Sequence, residues 1–333
     1  MNKRERLEKT IAGMPTDRVP VALWRHWPGD DQRPADLAYS IIEYQQLYDW
    51  DFVNVLPAES FCVIDYGVQD EWCGAADGRR KNTRRVVERS LQWTDLRPLE
   101  GIRGTFGRHV EGLRIIAEAF TPWDDPPPVV QTILSPLAQA ELLAGRDVLM
   151  QHIRTRPDRL RTGLNTITES TLRFINAIRR LPVDGIFYVS RHANYSTMPE
   201  SEYQEFGLPY DQKILEGLPE RWWLNMLHLE GDAPMFRLMS QLPAQVINWA
   251  DHKEHPTLDE AKAIFNGAVC GGLSRWEHLH QGTPAIIRDV AKAAMFSTRN
   301  HRFILSAGGP TMITSPLSNI RAVRQVVDEV RVM

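Results

Sequence analysis

The chain has 333 residues, 43% of them apolar and 24% charged, with a formal net charge of -3. That length suits a single large α/β domain, and the interspersed, nearly balanced charges give no basis for a nucleic-acid or membrane-surface partner. Cys62, Cys73 and Cys270 form no C-x-x-C spacing and are odd in number, which argues against a disulfide framework and for a reducing cytoplasm; no apolar run is long enough to span a bilayer.

The N-terminal "MNKRERLEKTIAGM" lacks the apolar core of a signal peptide and predicts an amphipathic helix, with Leu7, Ile11 and Met14 at helical spacing. Short apolar runs then recur, each followed by polar, glycine or proline residues. "RVPVALW" runs into Arg25-His26, "DFVNVL" into Pro57 and Glu59, "PVVQTIL" into Ser135-Pro136, and "DGIFYVS" into Arg191-His192. "WWLNML" leads to His228 and Glu230, "AQVINW" to Asp251-His252, "NGAVCGGL" to Ser274-Arg275, and "RFILSA" to Gly308-Gly309. These eight runs lack clean alternation, as expected of strands buried on both faces.

Helical patterns separate them. "ADLAYSIIEYQQLYD" follows the first run, "DRLRTGLNTITESTLRFINAIRRL" precedes the fourth, and "SEYQEFGLPYDQKILEGL" precedes the fifth. "APMFRLMSQL", "TLDEAKAIF" and "TPAIIRDVAKAAMF" precede the last three, and "SPLSNIRAVRQVVDEVRVM" closes the chain. Thr257 and Thr283-Pro284 are helix starts, since a hydroxyl can cap free N–H groups there.

Strands alternating with helices predict an α/β protein, a (β/α)8 TIM barrel over residues 1–333 with an insertion after strand 2. That insertion, residues 60–128, contains a hairpin or loop excursion, "DEWCGAADGRRKNTRRVVERSLQW", and a helix, "GLRIIAEAF". It lies near the barrel mouth, as a lid or as a dimerisation appendage. A doubly wound sheet is the alternative fold, but no G-x-G-x-x-G follows the first strand.

In such barrels the site lies at the C-terminal strand ends. The residues just past each run are Arg25, His26, Glu59, Arg191, His192, His228, Glu230, Asp251, His252 and Arg275, including four of the ten histidines. Arg25 and Arg191 suit carboxylates or internal salt bridges. His26 and His192 are proton carriers or hydrogen-bonded wall residues. Asp251 steers a proton or caps the following segment. Trp24, Trp27, Tyr66, Tyr188 and Trp249 offer an aromatic wall or barrel packing. His228 and Glu230, two residues apart on a strand, share a face. They read as a metal pair, an acid/base pair or a structural pair, and zinc would need a third ligand such as His252 or Glu59. The glycine-rich "SAGGPTMITSP" gives only a weak phosphate-loop signal.

"DRVPVALWRHWPGD", "DFVNVLPAESFCVIDYG", "PLAQAELLAG", "DGIFYVSRHA", "LHLEGD", "GTPAIIRDV" and "ILSAGGPTMITSP" together resemble the uroporphyrinogen decarboxylase superfamily, which includes cobalamin-dependent methyltransferases. The resemblance spans nearly the whole chain. It implies a (β/α)8 barrel with its site in the mouth, and a homodimer as in the decarboxylase branch. It also exposes departures. Arg25 matches the first arginine of the decarboxylases' R-x-x-x-R, but Asp30 or a neighbour stands at the second. Asn54 stands for their pyrrole-binding aspartate and Gly309 for a late histidine. Against the methyltransferases' zinc ligands, His228 matches, while Glu230 and Gly309 replace two cysteines.

The expectation is a cofactor-independent, decarboxylase-like lyase acting on a carboxylated small molecule other than the usual tetrapyrrole. Arg25 and Arg191 would hold carboxylates, His26, His192 or His228 would place the proton, and Glu230 and Asp251 would orient them. Asn54, Glu59, Tyr188, Trp249, His252, Arg275 and Gly309 would complete the substrate site. The alternatives are a methyltransferase working with a corrinoid protein, with a divalent metal (zinc) at His228 and Glu230, and a non-catalytic tetrapyrrole-binding barrel.

Overall fold

A computed structural model describes residues 1–330. Nine strands occur. In chain order they are β1 (Val53–Val55), β2 (Gln69–Glu71), β3 (Lys81–Arg84), β4 (Val129–Leu134), β5 (Gly185–Ser190), β6 (Met226–Leu229), β7 (Val246–Trp249), β8 (Ala268–Leu273) and β9 (Phe303–Ala307). Seven form one parallel sheet in the order β1-β4-β5-β6-β7-β8-β9, while β2 and β3 make a separate antiparallel hairpin. Every residue of the seven sheet strands is buried, which explains their unalternating apolar sequences.

The predicted first strand is not a regular one. Its segment nonetheless fills the eighth place: Ala22 N donates to Leu305 O, Leu305 N to Pro20 O, and Asp51 N to Val21 O, so it runs between β9 and the approach to β1. Two features interrupt the ladder. Pro20 has no N–H to give. The Val21 N–H is taken at 2.7 Å by the buried Asp51 carboxylate, which also pairs with Arg6 (2.7 Å) and Arg18 (2.6 Å). The same carboxylate thereby ties the N-terminal helix Lys3–Ala12 to the base of the barrel. That helix stops at Gly13, whose φ of +74° is left-handed, so Met14 falls outside it and is exposed.

Helices cover the sheet much as the periodicity predicts, with local differences. The pattern before β6 breaks into Glu200–Phe206 and Leu208–Glu216 at Gly207 and Pro209. "APMFRLMSQL" yields only the single turn Phe236–Met239. Thr257 and Glu260 form a capping box ahead of Leu258–Ile264, and Thr283 caps Pro284–Ser297. The closing helix is Leu317–Glu329; the predicted continuation over 331–333 lies outside the described residues. Within residues 60–128, helix Gly104–Phe120 packs on helix Pro34–Tyr48 and so belongs to the outer layer that joins β1 to β4. The excursion proper is the stretch with the β2–β3 hairpin. Among the described residues no helix is long and apolar enough to cross a membrane.

One polar cluster lies behind the sheet. Tyr188 donates to Asp211 Oδ1 at 2.6 Å, Tyr203 donates to Asp211 Oδ2, and all three side chains are fully buried. Burial pushes the Asp211 carboxyl up to about 7, against which the two phenol hydrogen bonds act. A group with a raised folded pKa contributes most at low pH and loses that contribution as pH rises through the folded value. The stability of the native chain relative to Asp211→Asn should therefore fall, between about pH 4 and pH 7, by up to about 1.4 kcal/mol per pH unit. Parallel urea titrations across that range check this; a pH-independent difference would show the carboxyl is not held protonated.

Candidate active site

Strand phase decides which predicted residues meet. On β5, Phe187 and Val189 face the barrel interior, and Arg191, two residues further, follows them into the mouth. Tyr188, Ser190 and His192 take the opposite phase. Tyr188 points outward to Asp211, and His192 Nε2 lies 2.7 Å from Glu141 on helix Pro136–Ala144. Neither reaches the mouth, which corrects both placements.

On β7, Asn248 faces inward, so Trp249 faces out, packing on Phe236 and donating to Pro256 O at 2.8 Å. Trp249 is barrel packing rather than substrate wall. Asp251 also leaves the mouth: its carboxylate accepts from Gly272 N at 3.1 Å, and burial raises it to about 6. Arg25 turns away too, its guanidinium stacking over Trp27 at 4.6 Å beside Tyr44. Asn54 sits one layer below the mouth and accepts from Thr132 Oγ1 at 2.8 Å.

The mouth itself gathers His26, Glu59, Arg191, His228, Glu230, His252 and Arg275. It also contains Arg79, which sequence reasoning missed, because nothing in "DGRRKNTRR" distinguishes an inward arginine from surface ones. The hairpin brings it in. Gly78, at φ +79°, lies against His26 and Ile313, where even a Cβ would stand 2.7 Å from the His26 Cβ. Arg79 then meets Glu230 at 2.5 Å and Glu59 at 3.4 Å. Arg191 bonds Glu230 at 3.0 Å and also pairs with Glu59. Two guanidiniums and two carboxylates thus form a closed, mostly buried quartet. The two arginines hold both carboxyls below their usual range despite burial.

His228 has a defined tautomer. Asn248 lies opposite it across the parallel β6–β7 pair, and its amide Nδ2 donates to Cys270 O (2.8 Å) and Ala307 O (2.9 Å). Two carbonyl acceptors require the NH2 end there, so Oδ1 faces His228 Nδ1 at 2.7 Å and Nδ1 carries the hydrogen. Nε2 is left with a lone pair. The ring stacks on Phe187 (centroids 5.3 Å apart, planes at 23°), and burial lowers its pKa to about 4, so it stays neutral at neutral pH. His26 is likewise pushed by burial to about 4. Asn248 was legible in principle, as an amide amid the apolar run "AQVINW".

His228 and Glu230 line a 430 Å³ cavity together with Arg79, Asp232, His252 and Arg275. Trp276 and Met312 help to wall it. A narrower apolar recess behind it is lined by Leu56, Phe61, Leu134, Phe187 and Val189. Gly309 reaches the same place from the loop after β9: a Cβ there would lie 3.6 Å from His228 Nε2.

A zinc ion does not fit these residues. Arginines engage both oxygens of Glu230, Gly309 offers no donor atom, and Cys62 and Cys270 are buried thiols pushed up to about 12. Of His228, Glu230 and Gly309, which stand at the zinc-ligand positions, only His228 keeps a free ligand atom, where a protein zinc site uses at least three. Among the described residues no group of three or more His, Cys, Asp or Glu side chains is arranged to hold a metal.

Fold and site define a parallel α/β barrel with an open cavity at the C-terminal strand ends. A model of the family "Uroporphyrinogen decarboxylase (URO-D)" matches residues 81–330, and the chain belongs to that enzyme family. Among curated proteins it is similar to the methylcobamide:CoM methyltransferases MtbA of Methanosarcina mazei and Methanosarcina acetivorans. Each is 21% identical over 96% of this chain and 95% of its own length. Among solved structures, a methyltransferase from Methanosarcina mazei superposes with a TM-score of 0.86 at 20% identity, covering 99% of both chains. A B12-independent methionine synthase from Shewanella sp. gives 0.60 at 14% identity, covering 94% of this chain and 92% of its own. At those identities the structures establish the fold alone.

These findings overturn the decarboxylase-like lyase expected above, since the curated relatives matched along the whole chain are named as methyltransferases. The geometry agrees. Arg25 faces away from the mouth, and Arg191 is already paired with Glu59 and Glu230, so neither is free to grip a substrate carboxylate.

Proposed function

We propose that this chain transfers a methyl group between a methylcobamide, carried by a corrinoid protein, and a small acceptor bound at the barrel mouth. The observation that carries the reading is full-length similarity to two methylcobamide:CoM methyltransferases in a barrel whose mouth is an open cavity beside a neutral histidine. Asn248 fixes His228 with its Nε2 lone pair available to the acceptor, and that nitrogen accepts the acceptor's proton as the nucleophile forms. The nucleophile attacks the methyl carbon, and the carbon–cobalt electron pair stays with cobalt. The quartet of Arg79, Glu59, Arg191 and Glu230 holds the wall of the cavity rigid. A rigid, prepaid geometry is a large part of what an enzyme contributes to a two-reactant step.

Free methylcobalamin is the simplest donor for a test. Purified protein, supplied anaerobically with methylcobalamin and a panel of thiols and phenols, should convert the methylcobalamin spectrum to that of the reduced corrinoid and yield methylated acceptor. An unchanged spectrum with every acceptor, repeated with a methylated corrinoid protein as donor, would remove the proposal.

A further inference from the structure

The position where the zinc-binding branch carries a ligand is here a gap with two polar walls. Gly309 has φ of +133°, a left-handed conformation that suits glycine, and only a hydrogen occupies its side-chain position. A point at its missing Cβ lies 3.6 Å from His228 Nε2 and 3.8 Å from Arg275 Nη1. One wall is thus a lone pair and the other a guanidinium. Arg275 is half-buried in the cavity wall, and among the described residues none of its N–H groups has a protein acceptor and no carboxylate lies within 4.0 Å. Arg79 and Arg191, in contrast, are matched by Glu59 and Glu230. Asp77, Glu230 and Glu59 offset the Arg275 charge only from a distance, and Arg79 opposes it. A half-buried guanidinium that faces an open cavity without a protein acceptor is free to pair with an anionic ligand there.

We propose that the gap at Gly309 seats the oxygen or sulfur of an acidic O–H or S–H acceptor, with Arg275 as the counter-charge to the anion and His228 Nε2 facing the departing hydrogen. The inference rests on the methyl-transfer reading, and it names the acceptor's chemistry at that site. It also supplies what the missing metal ligands leave out. A guanidinium stabilises the anion by charge and hydrogen bonding rather than by coordination. The step balances. The X–H bond breaks, its proton passes by way of His228 to water in the open cavity, and the X–C bond forms as the donor's carbon–cobalt bond breaks with its pair left on cobalt. Arg275 keeps its proton throughout, as an arginine must.

The test needs no methyl donor, so its failure is separate from that of the transfer assay. Para-nitrophenol and para-nitrothiophenol change colour on ionising, which reports the charge state of the bound probe. Each is titrated with pH in the presence of saturating protein, for the native chain, Arg275→Gln and Arg275→Lys. The native chain should lower the ionisation midpoint of at least one probe by about one to three pH units, the range expected for a counter-charge at this distance. Arg275→Gln should abolish most of that shift, and Arg275→Lys should retain part of it. The probe that shifts more identifies whether oxygen or sulfur is preferred. Equal midpoints for the native chain and Arg275→Gln would overturn the proposal, as would failure of both probes to bind at millimolar concentration. Arg275 lies on a half-buried loop after β8, and a matching thermal melt for each variant confirms that the comparison is between folded proteins.

Discussion

Replacing Arg191 by methionine should lower the unfolding free energy by about 3–5 kcal/mol, the cost typical of removing one partner from a buried ion pair. Arg191 contacts both carboxylates of the quartet, bonding Glu230 at 3.0 Å and pairing with Glu59. Without it, two buried carboxylates share the single guanidinium of Arg79, which stands 2.5 Å from Glu230 and 3.4 Å from Glu59. One carboxyl must then take up a proton or draw in water, and either response loses what the native arrangement gains. A second substitution provides the control. Glu59→Gln in the Arg191→Met background removes the surplus negative charge and leaves Arg79 with Glu230, so the double variant should recover part of the loss. Urea unfolding of the native chain and the two variants at neutral pH measures both effects. A loss below about 1 kcal/mol for Arg191→Met would show that the quartet behaves as a solvated surface network.

His228→Ala should reduce methyl transfer by about 10²–10⁴-fold, the usual contribution of a positioned proton acceptor. The imidazole is held from both sides, by Asn248 at Nδ1 (2.7 Å) and by the Phe187 ring at 5.3 Å, so its Nε2 does not have to find its orientation when the acceptor arrives. The pH dependence follows from the same burial. With its pKa lowered to about 4, the ring is neutral and competent from neutral pH down to about pH 5, and activity should fall only below that. An unburied histidine would lose activity near pH 6.5. Because the 430 Å³ cavity opens beside the ring, free imidazole should restore part of the rate in His228→Ala. A variant within a few-fold of the native rate, or a native profile falling near pH 6.5, would show that His228 does not take the proton.

Both effects trace to how much of this protein can be read along the chain. The β/α alternation and the largely apolar, unalternating strand runs determine the barrel, because a strand covered on both faces has no reason to alternate. The same pattern places the candidate site, since polar residues follow each run at the strand ends. His26, Glu59, Arg191, His228, Glu230, His252 and Arg275 were therefore identifiable, and they do line one mouth. What the linear pattern could not supply is phase. Adjacent residues at a strand end point to opposite sides of the sheet, so Arg191 enters the mouth while His192 pairs with Glu141 behind it, and Asn248 faces in while Trp249 faces out. One residue of register separates a position in the mouth from a packing one, and that register is set by contacts across the sheet.

Partnership is likewise a tertiary property. Arg79 comes to Glu230 only because the β2–β3 hairpin folds back over the barrel, and its sequence surroundings look like any basic surface loop. By sequence Glu230 reads as a metal ligand, an acid/base group or a structural residue; with two arginines on its oxygens it is one of the four members of a charge network. The gap at Gly309 follows the same logic. The family resemblance implies that a side chain is missing there. The structure decided what the absence leaves, which is a space walled by a histidine lone pair and an arginine whose N–H groups have no protein acceptor among the described residues. Local sequence dictates which residues are apolar and where strands end, because burial and backbone hydrogen bonding act on every residue in turn. Which charges meet depends on distances between segments far apart in the chain, and only the closed barrel sets those distances.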